Sequence, residues 1–213
     1  MADTGDGTGG HRGTVLPCHM TRKNRPPVSS CVLVRSPVQG MVCFMNIVLI
    51  GMPGAGKSTI GVLLAKALKM PFIDTDLLIQ QKYNMFLQDI IDKYGIKRFL
   101  SIEEEVAVSI DLKNHVIATG GSVVYSDAAL KHFKRDGFVV YLKLRFDEIE
   151  KRISNISSRG IAKEKDKTLM ELYNERIPLY EKYADITVNC SDMNIEASVS
   201  EIIKRIKAAK KIF

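Results

Sequence analysis

The sequence predicts an α/β fold in three layers, a five-stranded parallel sheet with helices on both faces. Three observations carry this expectation. From Met45 onward short apolar runs alternate with stretches of helical period, the pattern of strands joined by crossover helices. The 213 residues are 46% hydrophobic and 26% charged, ordinary values for a chain that can bury a full core. A glycine-rich turn, Gly51 to Gly56, separates the first apolar run from the first helical period.

Each element follows in order. Asn46 to Ile50 is a run of the kind found in strands buried on both faces. Past the glycine-rich turn, Ile60, Leu63, Leu64, Ala67 and Leu68 recur at i, i+3, i+4, i+7 and i+8, which predicts an amphipathic helix. Phe72 to Asp74 reads as a second, short strand, and segments 77–83, 86–93 and 97–109 as helices. Val116 to Thr119 is the third strand, about 127–135 a helix, Phe138 to Leu144 the fourth strand, and a further helix starts at Asp147. A polar stretch from Asn155 to Lys167 precedes a helix ending near Tyr183. Strand Ile186 to Asn189 and a helix over 195–209 complete the count.

Residues 1–44 are different. They lack any apolar period and are rich in Gly, Pro, Ser and Thr, so they are expected to form a disordered extension ahead of a domain spanning 45–213. Their longest apolar stretch, Cys31 to Val34, is too short for a secretory signal. Two readings of the extension stay open: a transit peptide, because residues 11–40 hold Arg and Ser but no acid, or an upstream mis-start before Met41 or Met45. The net charge of +7 divides into +3 on residues 1–44 and +4 on the rest. With no Trp and no basic stripe interleaved with aromatics, no nucleic-acid partner is expected. No run approaches the roughly 18 apolar residues of a membrane span. Cys18, Cys31, Cys43 and Cys190 lie far apart without a CxxC pair, which argues against disulfide or zinc frameworks and for a cytoplasmic location. A monomer is expected.

The chemistry begins at Gly51-Met52-Pro53-Gly54-Ala55-Gly56-Lys57-Ser58-Thr59, which satisfies GxxxxGK[ST] between a strand and an amphipathic helix. Glycines let the backbone curl so that successive N–H groups converge on phosphate oxygens, and the helix N-terminus adds partial positive charge. Gly51, Gly54, Ala55, Gly56, Lys57, Ser58 and Thr59 are thus expected to cradle ATP, with Lys57 on the β- and γ-phosphates and Ser58 on Mg²⁺. Such a site serves kinases, ATPases, GTPases and switches alike. No NKxD guanine reader occurs, and the small chain has no mechanical module, which favours phosphoryl transfer to a small acceptor.

Phe72-Ile73-Asp74-Thr75-Asp76 places two carboxylates at i and i+2 at the end of the second strand, where ligands bind in parallel sheets. The competing structural role for the pair is helix capping, with Asp76 at the N-cap. Together with the phosphate loop, this segment resembles the shikimate kinases, a family of nucleoside monophosphate kinase-like P-loop enzymes. Further matches are Gly95 through Glu103 with Phe99, Ala118-Thr119-Gly120-Gly121, Ser158-Arg159-Gly160-Ile161 and Arg176-Ile177-Pro178-Leu179-Tyr180, so that the similarity spans about residues 46–208.

The resemblance implies a P-loop kinase with a mobile lid and an ATP- and Mg²⁺-dependent conversion of shikimate to shikimate 3-phosphate, a step of aromatic amino acid biosynthesis. By the same resemblance, Asp74 holds Mg²⁺ through water. Asp76 positions an acceptor hydroxyl and can act as base, and Gly120 and Gly121 let backbone approach the acceptor. Arg159, in the lid, swings onto the transferring phosphoryl group, Arg152 packs on adenine, and Arg176 pairs with the acceptor carboxylate. The surface alternatives are a solvated lid charge at Arg159, an exposed basic at Arg152 and a charge arrangement with Glu171 and Glu181 at Arg176. His115 and His132 read as structural.

Three positions depart from the family pattern. Leu100 stands where an arginine helps hold the shikimate carboxylate, and Lys97, one helical turn away, is the nearest replacement. Ser122 stands where a third glycine is usual, and its side chain would enter or hydrogen-bond within the acceptor pocket. Gly160 replaces a proline of the lid motif. The triphosphate side matches while the acceptor side is altered, which keeps two other readings: a kinase of another small hydroxy acid or polyol, and a nucleotide-binding regulator without turnover.

Overall fold

The computed structural model describes residues 45–154, 161–162 and 167–210. The expectations for the 1–44 extension, for Arg159 and for the centre of the lid segment fall outside the described residues. The elements are β1 (Asn46–Ile50), α1 (Lys57–Leu68), β2 (Phe72–Asp74), α2 (Thr75–Tyr83), α3 (Leu87–Ser109), β3 (Val116–Ala118), α4 (Asp127–Arg135), β4 (Gly137–Lys143), α5 (Phe146–Ser154), α6 (Leu169–Tyr183), β5 (Ile186–Asn189) and α7 (Ile195–Lys210), with a 3₁₀ turn at Val123–Tyr125.

All pairings are parallel and the sheet order is β2-β3-β1-β4-β5. The central strand β1 is buried along its whole length, as its apolar run requires. Its neighbours are β3 on one side and β4 on the other. The chain therefore leaves β1 towards one edge, fills it with β2 and β3, and only then crosses to β4. This is a topological switch point, and it opens a crevice at the carboxyl ends of β1 and β3.

The expected stripe on α1 is only partly the buried one. Ile60 and Leu64 are buried, but Ala67 is exposed, and Gly61 and Ala65 complete the inward face. Gly61 explains the rotation. A Cβ there would lie 2.5 Å from the Phe72 ring, so the bare backbone lets the helix lie flat on β2 with a face that a count of large apolar residues does not reveal.

Two smaller differences matter for the site. α2 starts at Thr75, two residues before the expected 77, because the Asp76 N–H donates to Asp74 Oδ1 at 2.9 Å. The N-cap is thus Asp74, and Asp76 sits inside the first turn. The helices expected at 86–93 and 97–109 are joined through Gly95, whose φ of 79° and ψ of 162° make a kink in α3. The C-terminal half of α3 packs on α2 through a second apolar cluster that includes Ile79, Ile90, Phe99, Ile102 and Val106, with Leu100 half-buried against it. No described helix is long and apolar enough to cross a membrane. His115 and His132 bond the Lys113 and Ile110 carbonyls, as structural histidines do.

Candidate nucleotide and acceptor site

The loop after β1 delivers the phosphate-binding geometry. Gly54 and Gly56 take φ values of 79° and 87°, left-handed conformations that glycine adopts without cost. Gly56 is also the N-cap of α1 and offers no side chain to the first amides of the helix. The first N–H groups of a helix have no partner within it, and with the helix dipole they suit an anion. Lys57 is buried, its Nζ donating to the Gly51 carbonyl at 2.8 Å and the Met52 carbonyl at 3.0 Å. The ammonium is thereby folded over the loop, while Ser58 and Thr59 are exposed at the mouth.

A cavity of about 240 Å³ lies in the crevice. Lys57, Ser58, Asp74, Asp76, Gly120, Gly121 and Arg176, all expected site residues, line it. Leu77, Phe86, Leu87 and Phe99 give it an apolar wall. The double glycine is what allows this convergence. A Cβ on Gly120 would lie 2.9 Å from Asp76 Oδ1 and would clash with Glu103 Oε1. One on Gly121 would lie 2.8 Å from the Pro53 ring and 3.2 Å from Arg176 Nη1. The segment is pinned as well, since the Gly120 N–H donates to Thr75 Oγ1 at 3.1 Å and the Tyr180 hydroxyl to the Gly121 carbonyl at 2.6 Å.

Arg176 is 1% exposed, so the surface arrangement with Glu171 and Glu181 does not occur. Its Nη2 donates to the Ala162 carbonyl at 2.7 Å and its Nε to the Tyr125 hydroxyl at 3.2 Å, and the guanidinium lies 5.1 Å from the centre of the Tyr125 ring. Tyr125 in turn donates to Glu175 at 2.8 Å, and Glu175 pairs with Lys167. Tyr125 was not among the expected site residues.

Glu103 was also missed as a site residue. It is 6% exposed, lines the cavity, and accepts a hydrogen bond from Ser122 Oγ at Oε2. Burial pushes its carboxyl up to about 7; Ser122, Arg176 and Lys57 oppose the rise and Asp76 adds to it. The signal for it was in the sequence. Phe99, Ile102, Glu103, Val106 and Ala107 form the buried face of α3, so an acid occupies a core position.

Lys97 is exposed and does not line the cavity, nor does Leu100. Arg98 is exposed and pairs with Glu105 at 2.7 Å. The structure brings no cation from this stretch to the place of the missing arginine.

Arg152 borders a second cavity of about 220 Å³ on the other flank of the phosphate loop, with Thr59, Cys190, Met193, Ile195 and Ser198. Its Nη1 reaches the Gly54 carbonyl at 3.4 Å and its Nη2 the Glu148 carboxylate at 3.2 Å. Apolar walls beside an arginine plane suit a heteroaromatic base. The loop from Cys190 to Ile195 that completes this cavity carried no recognisable motif.

Among the described residues no cluster of three or more His, Cys, Asp and Glu could hold a metal by itself. Ser58 and Asp74 supply hard oxygens to one cavity, and Mg²⁺ is commonly bound by one or two such protein ligands while keeping waters and phosphate oxygens. The residues present fit that ion.

The shikimate kinase family model matches residues 53–207. A shikimate kinase of Caldanaerobacter subterraneus subsp. tengcongensis is 37% identical over 162 residues, 75% of this chain and 94% of that protein. One from Thermodesulfovibrio yellowstonii is 38% identical over 162 residues, 75% and 93% of the respective chains. Among solved structures, an Acinetobacter baumannii shikimate kinase in complex with shikimate superposes with a TM-score of 0.72 at 29% identity, covering 78% of this chain and 95% of the other. A Candida albicans thymidylate kinase, 16% identical with a TM-score of 0.51 over 78% and 92% of the two chains, shares the fold.

Proposed function

Because this chain belongs to the shikimate kinase family, we propose that it transfers the γ-phosphoryl group of ATP to a hydroxyl of shikimate, giving shikimate 3-phosphate and ADP. The observation that carries this reading is the convergence of Lys57, Asp76 and Arg176 on one cavity at the switch point of the sheet. In these roles the three residues would offer a phosphate anchor, a hydroxyl acceptor and a fork for a carboxylate around a volume that suits a small hydroxy acid.

The roles follow from chemistry. Lys57 and the first amides of α1 hold the β- and γ-phosphate oxygens and take up charge as it develops on the leaving oxygen. Asp76 accepts a hydrogen bond from the acceptor hydroxyl, aims the oxygen at phosphorus and receives the proton as the new O–P bond forms. The bond to the bridging oxygen breaks, and its electron pair leaves on ADP. Arg176 presents a planar fork, which matches a carboxylate in two parallel hydrogen bonds. Ser58 and Asp74 would hold Mg²⁺, whose chemistry here is charge neutralisation on the phosphates. Arg152 is assigned to adenine and Arg159 to the transferring group. Gly120 and Gly121 keep the acceptor close to backbone.

A coupled assay of ADP release tests the proposal. Shikimate should stimulate release far above buffer and yield a phosphorylated product by mass. Stimulation no greater than buffer would refute this acceptor. A second reading, another small hydroxy acid or polyol, is favoured by one observation: Leu100 packs in an apolar cluster and neither Lys97 nor Arg98 reaches the cavity in its place. A hydroxy-acid panel decides between the two.

A further inference from the structure

Two residues at the floor of the acceptor cavity have no part in the mechanism above. Glu103, on α3, and Ser122, after β3, are 6% and 4% exposed. Ser122 Oγ donates to Glu103 Oε2, while Oε1 lies against Gly120 on the side where Asp76 Oδ1 approaches. A buried carboxyl is costly unless its lone pairs are met. Among the described residues Ser122 is the side chain that hydrogen-bonds to it. Position 100, one helical turn back on α3, could have supplied a donor, but Leu100 sits in the apolar cluster instead. The charged groups acting on Glu103 from other elements are Asp76, Arg176 and Lys57.

Both acids border Gly120, so two carboxyl groups from different helices face one small volume from neighbouring positions. A single hydroxyl needs one acceptor. Two adjacent acceptors suit two adjacent hydroxyls.

We propose that Ser122 and Glu103 form a specificity-determining pair for a vicinal diol: Ser122 is the positioning residue that fixes Glu103, and Glu103 Oε1 accepts from the hydroxyl next to the one held by Asp76. The proposal deepens the reading of this cavity as the acceptor site and rests on it. It also joins the two departures at positions 100 and 122. With no cation delivered from position 100, the hydroxyl at 122 orders the buried acid, and recognition shifts towards hydroxyl groups.

The test is steady-state kinetics at saturating ATP on the full chain, comparing Ser122→Ala, Ser122→Thr and Glu103→Gln. The acceptors are shikimate and its analogue lacking the hydroxyl adjacent to the phosphorylated one. Leaving a buried hydrogen-bonding group unpaired predicts about a tenfold rise in KM for shikimate in Ser122→Ala and Glu103→Gln. The KM for ATP and kcat should stay within about twofold, and Ser122→Thr should restore the acceptor KM. The wild-type protein should discriminate against the deoxy analogue, and Ser122→Ala should lose that discrimination. An unchanged acceptor KM in both Ser122→Ala and Glu103→Gln, equal rises for ATP and acceptor, or persisting discrimination in Ser122→Ala would overturn the pair. Should wild-type protein ignore shikimate, the proposed acceptor fails by itself. The pair is then read on whichever diol of the hydroxy-acid panel turns over, against its monodeoxy counterpart, and an acceptor with no neighbouring hydroxyl that is used as well as any diol overturns it.

Discussion

Glu103 carries its stability cost in a definite pH window. An ordinary glutamate titrates near 4.5, whereas burial holds this carboxyl up to about 7 in the folded chain. The folded state therefore keeps the proton that the unfolded chain gives up. Its contribution is full below about 4.5, falls as pH rises, and is gone above about 7, a difference on the order of 3 kcal/mol. Glu103→Gln keeps the shape and an oxygen for Ser122 but cannot ionise. Its melting temperature should rise above wild type by several degrees at pH 8 and by little at pH 4.5, the gap opening between the two. Melts across that range check this, and a gap independent of pH would show that the acid is not the buried, proton-retaining group described. Lys57→Ala belongs at the same scale. Loss of the ammonium should lower kcat by a hundredfold or more with the circular dichroism spectrum and melting curve retained. Tyr125→Phe should keep the ring under Arg176 but remove the acceptor for Nε. About a three- to tenfold rise in acceptor KM, with KM for ATP unchanged, is the expected result; no rise would separate Tyr125 from the acceptor site.

Among the elements, α3 shows what the sequence could and could not disclose. Its two halves were expected as separate helices over 86–93 and 97–109, and the structure places Gly95 between them at φ 79° and ψ 162°, a region essentially reserved for glycine. Nothing lies within 4 Å of where its Cβ would be, so Gly95→Ala isolates backbone strain from crowding. It should destabilise by about 1–3 kcal/mol, read as a lower midpoint in urea with an unchanged slope. The start of α2 was misplaced for a local reason, since the cap came from Asp74 and not Asp76. On α1 the buried face turned on Gly61, and a stripe of large residues is blind to a face made by a missing side chain. The same contrast runs through the site. Gly51 to Thr59, Asp74 and Asp76 were legible because phosphate and metal chemistry fixes residue types at fixed spacing, whereas the double glycine and Arg176 were reached only through the resemblance to the shikimate kinases. The support given by Tyr125 and Ser122 was not legible, because it arises only when α3, the β3 loop and α6 meet, and Glu103 showed itself only as an acid at a core position of α3. Ser122 was expected to enter or hydrogen-bond within the acceptor pocket, and it does hydrogen-bond there, to a partner that only the fold could supply.

For the molecule as a whole, the sheet order does the positioning. With β1 central and the chain crossing from one edge to the other, the phosphate loop after β1, the acid pair after β2 and the glycines after β3 all emerge at one rim. The start of the sheet is held by bonds among the described residues. The Asn46 N–H donates to the Asp136 carbonyl at 2.9 Å, its Nδ2 to the Leu112 carbonyl at 2.6 Å, and its Oδ1 accepts from the His115 N–H at 3.0 Å. The first residue of β1 is thus tied to the β3 and β4 sides by groups that all belong to the domain, and the family match begins only at Pro53. A chain starting at Met45 keeps every one of these bonds and both cavities. For an extension without a packed core, as the composition of residues 1–44 predicts, it should retain kcat/KM within about twofold and a melting temperature within about 2 °C of the full-length protein. A fall of tenfold or a loss of about 5 °C or more would mean that the extension packs on the domain and completes its site, and the boundary at residue 45 would have to move.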